Sequence, residues 1–321
     1  VLQIVRPKRK MTQKKPNATE VRNPRTRGIA AKSSLEIVRA IHREDASVAL
    51  AVRRALPSIA RAVDAVVFAL ESGGRLFYVG AGTSGRLAAL DAAEIPPTFG
   101  TPPRMVQAIL AGGRRALTAA VEGAEDDHAQ GARDLAKRGF GKKDAVVGIA
   151  ASGATPYVLG ALEYAKRKGA VTVGITSNPR TPITRLASIP IVTPTGPEAI
   201  TGSTRMKAGT VQKMVLNMLS TAVMIRRGRV YDNWMIGVAL TNRKLQARGL
   251  RILREASGAT VSDATRALRQ SGHDMATAFI ILKTGASARE ARQLLRDTQG
   301  NVHNALERTK PSRKGAIHPH G

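Results

Sequence analysis

The sequence predicts an α/β domain on a mainly parallel sheet, followed by a small all-helical domain. Three observations predict it. Short apolar runs at Arg75–Val79, Ala145–Ile149, Val171–Ile175 and Ile189–Val192 alternate with stretches of helical periodicity. The first two runs each lead into a small, hydroxyl-bearing loop and then a helix start, the rhythm of a doubly wound sheet. Beyond about Arg243 the strand-like runs stop, and helical segments follow, separated at Gly258, Gly272, Gly285 and Gly300.

Residues 1–33 read as a basic, flexible lead-in with nine Lys and Arg between Arg6 and Arg27 against the single acid Glu20. Residues 1–10 precede Met11 and are given no role in the fold. Val1–Val5 is shorter than the roughly 7–15 apolar residues of a signal peptide. Ser34 is the expected N-cap of a first helix carrying Leu35, Ile37, Val38 and Ile41. Ala46–Glu71 is a second helix, with Val48, Val52, Leu56, Ile59 and Val63 at three- and four-residue steps, and Gly73-Gly74 ends it. After the Arg75–Val79 strand a helix is expected from about Arg86 to a break at Ile95-Pro96-Pro97. Pro156 sits where a first-turn proline belongs, and its helix runs to about Lys168. Met206–Arg226 is a long helix whose face of Val211, Met214, Val215, Met218, Leu219, Ala222 and Val223 belongs in a core. The expected division is therefore a lead-in at 1–33, an α/β domain with N-terminal helices at 34–242, a helical domain at 243–309 and a basic tail at 310–321. Gly272–Thr284 and Gly300–Arg308 look loosely alike, as a weak internal repeat.

Composition narrows the function. The 321 residues are 43% hydrophobic, which excludes disorder throughout, but only 3% aromatic, so aliphatic side chains must fill the core. Cysteine is absent, which excludes disulfides and thiolate metal sites and fits a reducing, cytoplasmic setting. No apolar run approaches the roughly 18–20 residues that span a bilayer. The net charge of +28 suits nucleic acid, anionic surfaces or small anionic substrates. The tails that carry part of it, including Lys310, Arg313 and Lys314, read as solvated segments that meet nucleic acid only non-specifically.

The chemistry sits in three loops. Gly80-x-Gly82-x-x-Gly85 after a strand matches the dinucleotide fingerprint, but no acid stands about 20 residues on at the end of a second strand. Thr83 and Ser84 beside the backbone N–H groups of a helix N-terminus suit a phosphomonoester instead. A purely structural glycine turn is the alternative. Ala151-Ser152-Gly153-Ala154-Thr155 repeats the logic, and Gly202-Ser203-Thr204-Arg205 repeats it again, with Arg205 and Lys207 as added cations. Three such loops at the carboxyl ends of the strands argue for a phosphorylated polar ligand. The candidate contacts are Gly82, Thr83, Ser84, Ser152, Gly153, Thr155, Ser203, Thr204, Arg205 and Lys207.

YVGAGTSGRLAALDAAEIPPTFG at residues 78–100 and GIAASGATPYVLGALEYAKRKGA at 148–170 resemble the sugar isomerase (SIS) domain of the N-acetylmuramic acid 6-phosphate etherase family. GPEAITGSTRMKAGT at 196–210, which adds Glu198 as a binding candidate, resembles a signature that these etherases share with the glucokinase regulatory protein. The resemblance runs from about Thr19 to Arg308. It implies a three-layer αβα SIS fold and a homodimer with its site at the subunit interface. It also implies a lyase that cleaves the lactyl ether of N-acetylmuramic acid 6-phosphate to N-acetylglucosamine 6-phosphate and D-lactate. An alkyl ether is a poor leaving group, so the chemistry expected is elimination from the open-chain sugar followed by hydration. That needs an acid and a base, and no metal or redox cofactor. The family pattern places the proton donor at Glu94 and an assisting acid/base at Glu125. Read without the resemblance, Glu94 is a helix-end surface acid and Glu125 one of a solvated run with Glu122, Asp126 and Asp127. His128 reads as a surface residue, and His318 and His320 have too few partners for a metal site.

Three positions depart from the family pattern: Ala154, where Arg is common; Gly237, where an acid is common; and Ile95, where Cys or Leu is usual. Two other functions remain open at this point. A non-catalytic sugar-phosphate sensor would keep the loops and need neither glutamate. A DNA-binding regulator would need a helix-turn-helix module of about 70 residues before the sheet, for which residues 34–73 are too few.

Overall fold

The computed structural model describes residues 17–309; the basic segments at 1–16 and 310–321, with His318 and His320, lie outside the described residues. Three single 3-10 turns at Ala18–Glu20, Pro24–Thr26 and Ile29–Ala31 come first among the described residues. Helix α1 (Ser34–Asp45) is capped by Ser33 rather than Ser34: the Glu36 carboxylate accepts from the Ser33 backbone and hydroxyl in a capping box. Helix α2 (Val48–Glu71) follows, then β1 (Leu76–Gly80), α3 (Gly82–Phe99), β2 (Val106–Leu110), α4 (His128–Lys137), β3 (Ala145–Ile149), α5 (Pro156–Arg167), β4 (Val171–Thr176), α6 (Pro182–Leu186), β5 (Ile189–Val192) and α7 (Lys207–Arg226).

Among the described residues five strands form one sheet, all parallel, in the order β2-β1-β3-β4-β5. Strand alternation explains the layers. Leu76 and Tyr78 on β1, with Val147, Val173 and Ile191, pack under α2, α3 and α7. Phe77 and Val79, with Val146, pack under α4, α5 and α6. Strand β2 is absent from the sequence reading. It is an edge strand, half-exposed at Gln107 and Ala108, and its five residues carry neither a full apolar run nor clean alternation.

Two expectations about helix boundaries are corrected. Helix α3 starts at Gly82, four residues before the expected Arg86, and runs through Pro96 and Pro97 to Phe99. The two prolines remove donors to the Ala92 and Ala93 carbonyls. Ile95 and Phe99 are buried, and Gly100 closes the helix in the left-handed conformation, so packing of the last turn holds it. The lead-in is also not free up to residue 33. Thr19, Asn23 and Thr26 are buried, and the segment is pinned to residues far along the chain.

Tyr231, Trp234 and Ile236 lead into helices α8 (Arg243–Ser257), α9 (Val261–Gln270), α10 (Met275–Thr284), α11 (Ala288–Asp297) and α12 (Val302–Thr309), which share a separate apolar core around Phe279, Leu253 and Ile280. The turns before α10 and α12 each place two successive residues at positive φ, Gly272-His273 and Gln299-Gly300, and then an Asp274 or Asn301 side chain that accepts a backbone N–H.

Candidate active site

The order 2-1-3-4-5 puts the reversal of connection direction between β1 and β3, and ligands of open parallel sheets bind at the carboxyl end of that point. The loops there are two of the three that the sequence singles out, Gly80–Gly85 and Ala151–Thr155. Gly80 and Gly85 let β1 and α3 approach: a Cβ at Gly85 would lie 2.7 Å from the Gly80 carbonyl oxygen. Helix α3 thus begins directly at the strand end, with Thr83 and Ser84 in its first turn, where backbone N–H groups have no helical acceptor. Thr155 stands at the N-cap of α5 and Pro156 at its first position.

A cavity of about 370 Å³ opens between these helix starts. Gly82, Thr83, Ser84, Ser152, Thr155 and Thr204 line it, and so does Glu125. The Glu125 carbonyl accepts from the Tyr157 N–H at 3.0 Å, which ties the acidic loop to the start of α5. Glu20 and Asp126, which the sequence reading did not assign to the site, line the cavity too. The signal for Glu20 was present as the lone acid in a basic stretch. Among the described residues that line this cavity there is no Lys or Arg, so the groups it offers to an anion are helix N-termini and hydroxyls. Ala154, which stands where Arg is common in the family pattern, lines the cavity and brings no charge to it. Arg86 borders an adjoining cavity that shares Gly82 and Glu125, but its Nε and Nη2 donate to the Ala116 and Ala119 carbonyls.

The third loop contributes less than expected. Lys207 is not a phosphate ligand: it is fully buried, and its Nζ donates to Glu44 Oε2 at 2.7 Å. Arg25 donates to the same carboxylate, through Nη2 at 2.8 Å, and together these partners hold Glu44 at a pKa of about 2. Glu198 does not face the cavity either. It is buried and accepts from the backbone N–H groups of Lys207 and Ala208 at 3.0 and 2.9 Å. The N-terminus of α7 is therefore already occupied by a carboxylate, which a phosphate would have to displace. Burial pushes the Glu198 carboxyl above its ordinary range, against those two bonds. Ser203 is half-buried and Arg205 exposed, both outside the lining, and Gly153 is buried behind the loop against Thr181.

Glu94 is not at this cavity. It lies twelve residues beyond Gly82 on a helix that runs away from the strand ends, about 18 Å along its axis. It is exposed, one turn beyond Leu90, itself 46% exposed, on the same helix face. Asp91, on the neighbouring inward face, is buried and accepts from Tyr78 Oη at 3.0 Å and Ser220 Oγ at 3.2 Å. His128 is exposed, with Nε2 3.3 Å from Glu163.

A doubly wound parallel sheet with hydroxyl-bearing helix starts converging at its switch point defines the class: a SIS-type fold. The profile of the SIS domain matches residues 127–222, and that of the glucokinase regulatory protein N-terminal SIS domain matches residues 58–166. The structure of a phosphoheptose isomerase from Francisella tularensis superposes with a TM-score of 0.50 at 20% identity, over 60% of this chain and all of that one. The relation to particular proteins is much nearer in sequence. N-acetylmuramic acid 6-phosphate etherase from Enterobacter sp. (strain 638) is 50% identical over 90% of this chain and 97% of its own length. That from Geobacillus thermodenitrificans (strain NG80-2) is 49% identical over 90% and 98%. The chain belongs to the N-acetylmuramic acid 6-phosphate etherase family.

Proposed function

We propose that the chain is an N-acetylmuramic acid 6-phosphate etherase, a carbon–oxygen lyase that releases D-lactate and N-acetylglucosamine 6-phosphate. The observation that carries this reading is the near-complete alignment, at about half identity, with relatives that bear that name. The cavity supports it with two hydroxyl-bearing helix starts for a phosphate and an acid/base carboxylate, Glu125, beside them.

The reaction begins with the sugar ring open, so that the aldehyde at carbon 1 acidifies the hydrogen on carbon 2. A carboxylate removes that proton while a carboxylic acid protonates the lactyl oxygen leaving carbon 3. Water then adds across the new double bond, its hydroxyl to carbon 3 and its proton to carbon 2. Ser84, Ser152 and Thr155 hold the phosphate, and Glu125 serves as one acid/base group. Glu94 is the proton donor to the lactyl oxygen. With its position about 18 Å along α3 from the phosphate loop, it acts in the cavity of a second copy. The exposed face carrying Leu90 and Glu94 meets that copy in a homodimer with the site at the interface. The reaction requires no redox cofactor, and its substrate is a peptidoglycan fragment met in the cytoplasm.

Incubation of the purified chain with N-acetylmuramic acid 6-phosphate, followed by assay of both products, tests the reading. Equimolar D-lactate and N-acetylglucosamine 6-phosphate are expected. Saturable substrate binding with no lactate released would instead identify a regulatory sensor.

A further inference from the structure

Glu20 stands in the wall of the cavity on a segment that charge pattern alone marks as a solvated arm. The segment is fixed on both sides of it. Before Glu20, Asn17 Nδ2 donates to the Ser152 carbonyl at 3.2 Å. After it, Asn23 Nδ2 donates to the Pro197 carbonyl at 3.2 Å, Thr26 Oγ1 donates to that of Ala199 at 2.8 Å, and Arg25 is paired with Glu44. These bonds reach the Ser152 loop, the chain before α7 and helix α1, so the turn at Ala18–Glu20 is anchored on both sides.

A short hydrogen-bond chain then orients the carboxylate. Asn178 Nδ2, which also donates to the Ala151 carbonyl at 2.9 Å, donates to buried Thr19 Oγ1 at 3.1 Å. Thr19 Oγ1 in turn donates to Glu20 Oε1 at 3.4 Å. Among the described residues Glu20 forms no ion pair. Its Oε2 stands over the Gly202 turn, 3.5 Å from where a Cβ would be at that glycine.

A carboxylate positioned at the cavity wall without a cationic partner suits a ligand with hydrogen-bond donors. A phosphate dianion offers only acceptors and would repel it. The amino sugar offers hydroxyls and an amide N–H. We propose that Glu20 is a specificity-determining residue that contacts the substrate, its carboxylate accepting hydrogen bonds from the hydroxyl or amide donors of the sugar. The N-terminal segment is then one wall of the site. The inference rests on the sugar-phosphate reading above and extends it to a residue on a different element from either family glutamate.

The test has a sign. Glu20→Ala and Glu20→Gln are compared with the unaltered chain by calorimetric binding of N-acetylglucosamine 6-phosphate, glucose 6-phosphate and inorganic phosphate, and by turnover. Glu20→Ala should weaken binding of the amino-sugar phosphate about 10- to 100-fold, the value of a charge-assisted hydrogen bond, and Glu20→Gln less but in the same direction. The loss should appear in KM, with kcat within about threefold. Inorganic phosphate, which lacks the sugar's donors, should bind both variants at least as well as the unaltered chain. Unchanged or tighter binding of the amino-sugar phosphate by Glu20→Ala would overturn the proposal, since it would mean the carboxylate only repels the ligand. Parallel loss of inorganic phosphate would also overturn it, by reducing Glu20 to a support for the loops. Failure of the unaltered chain to bind the amino-sugar phosphate while it binds glucose 6-phosphate would contradict the etherase reading instead. The Glu20 comparison is then decided, with the same two outcomes, on glucose 6-phosphate.

Discussion

At the scale of single residues, serine hydroxyls bear on binding and one buried ion pair bears on stability. Ser84, 8% exposed at the first turn of α3, and Ser152 both line the cavity. Replacing either with Ala should weaken sugar-phosphate binding by roughly 1.5–3 kcal/mol while the fold persists, and calorimetry reads the difference. These hydroxyls are legible in sequence because a strand, a small loop and a helix start fix where they must point. Lys207 is not legible in that way. Its partner Glu44 is 163 residues earlier, and only the fold brings them together. Lys207→Met strands part of a buried carboxylate and should destabilise the chain by about 3 kcal/mol in chemical denaturation, with Glu44→Gln in the same chain recovering part of the loss. Glu44, depressed to about 2, also sets a pH dependence. Its unfolded value is near 4.3, so its contribution is full above about pH 5 and is lost as pH falls from there toward 2. Denaturant midpoints measured across that window should fall with acid, and fall less in Glu44→Gln.

Among the secondary-structure elements, the helices that read cleanly from periodicity are those whose caps and breaks are local. The C-terminal helices stop at Gly258 and Gly285 in left-handed caps, as the glycine spacing predicts. Helix α3 defeats the same reasoning because tertiary packing of Ile95 and Phe99 outweighs two prolines. Its end also explains a departure from the family pattern. A Cβ at Gly237 would come 2.5 Å from the Phe99 carbonyl oxygen, so this chain cannot take an acid there without moving backbone. Gly237→Asp should cost roughly 1–3 kcal/mol, visible as a lower thermal midpoint. The N-terminal segment is the other element that composition conceals, since its function lies in polar anchors and not in apolar burial. Removing residues 1–27 takes away Asn17, Thr19, Glu20 and Arg25 together. Sugar-phosphate binding should fall by more than the roughly 10- to 100-fold loss expected of Glu20→Ala alone.

For the whole molecule, the open question posed by the geometry is where Glu94 acts. The family resemblance implies a catalytic role for it, but a motif says nothing about which end of a helix faces a cavity. Helix α3 carries it away from the strand ends in its own chain. Glu94→Gln and Glu125→Gln should each be nearly inactive, with losses of about 10²–10⁴-fold. If Glu94 works in a partner's cavity, subunits of the two variants mixed and re-equilibrated should recover about a quarter of the unaltered activity, because half the dimers then hold one intact site. Mixtures that stay as inactive as their parents would return Glu94 to its own chain.

The central claim is that this cavity cleaves an ether by elimination and hydration. Its most direct test is turnover of N-acetylmuramic acid 6-phosphate in heavy-oxygen water, with both products weighed by mass spectrometry. The account predicts one heavy oxygen in the N-acetylglucosamine 6-phosphate, at carbon 3, and D-lactate whose hydroxyl oxygen is unlabelled. Heavy oxygen in the lactate hydroxyl, with none at carbon 3 of the sugar, would place the bond cleavage on the lactyl side and contradict it.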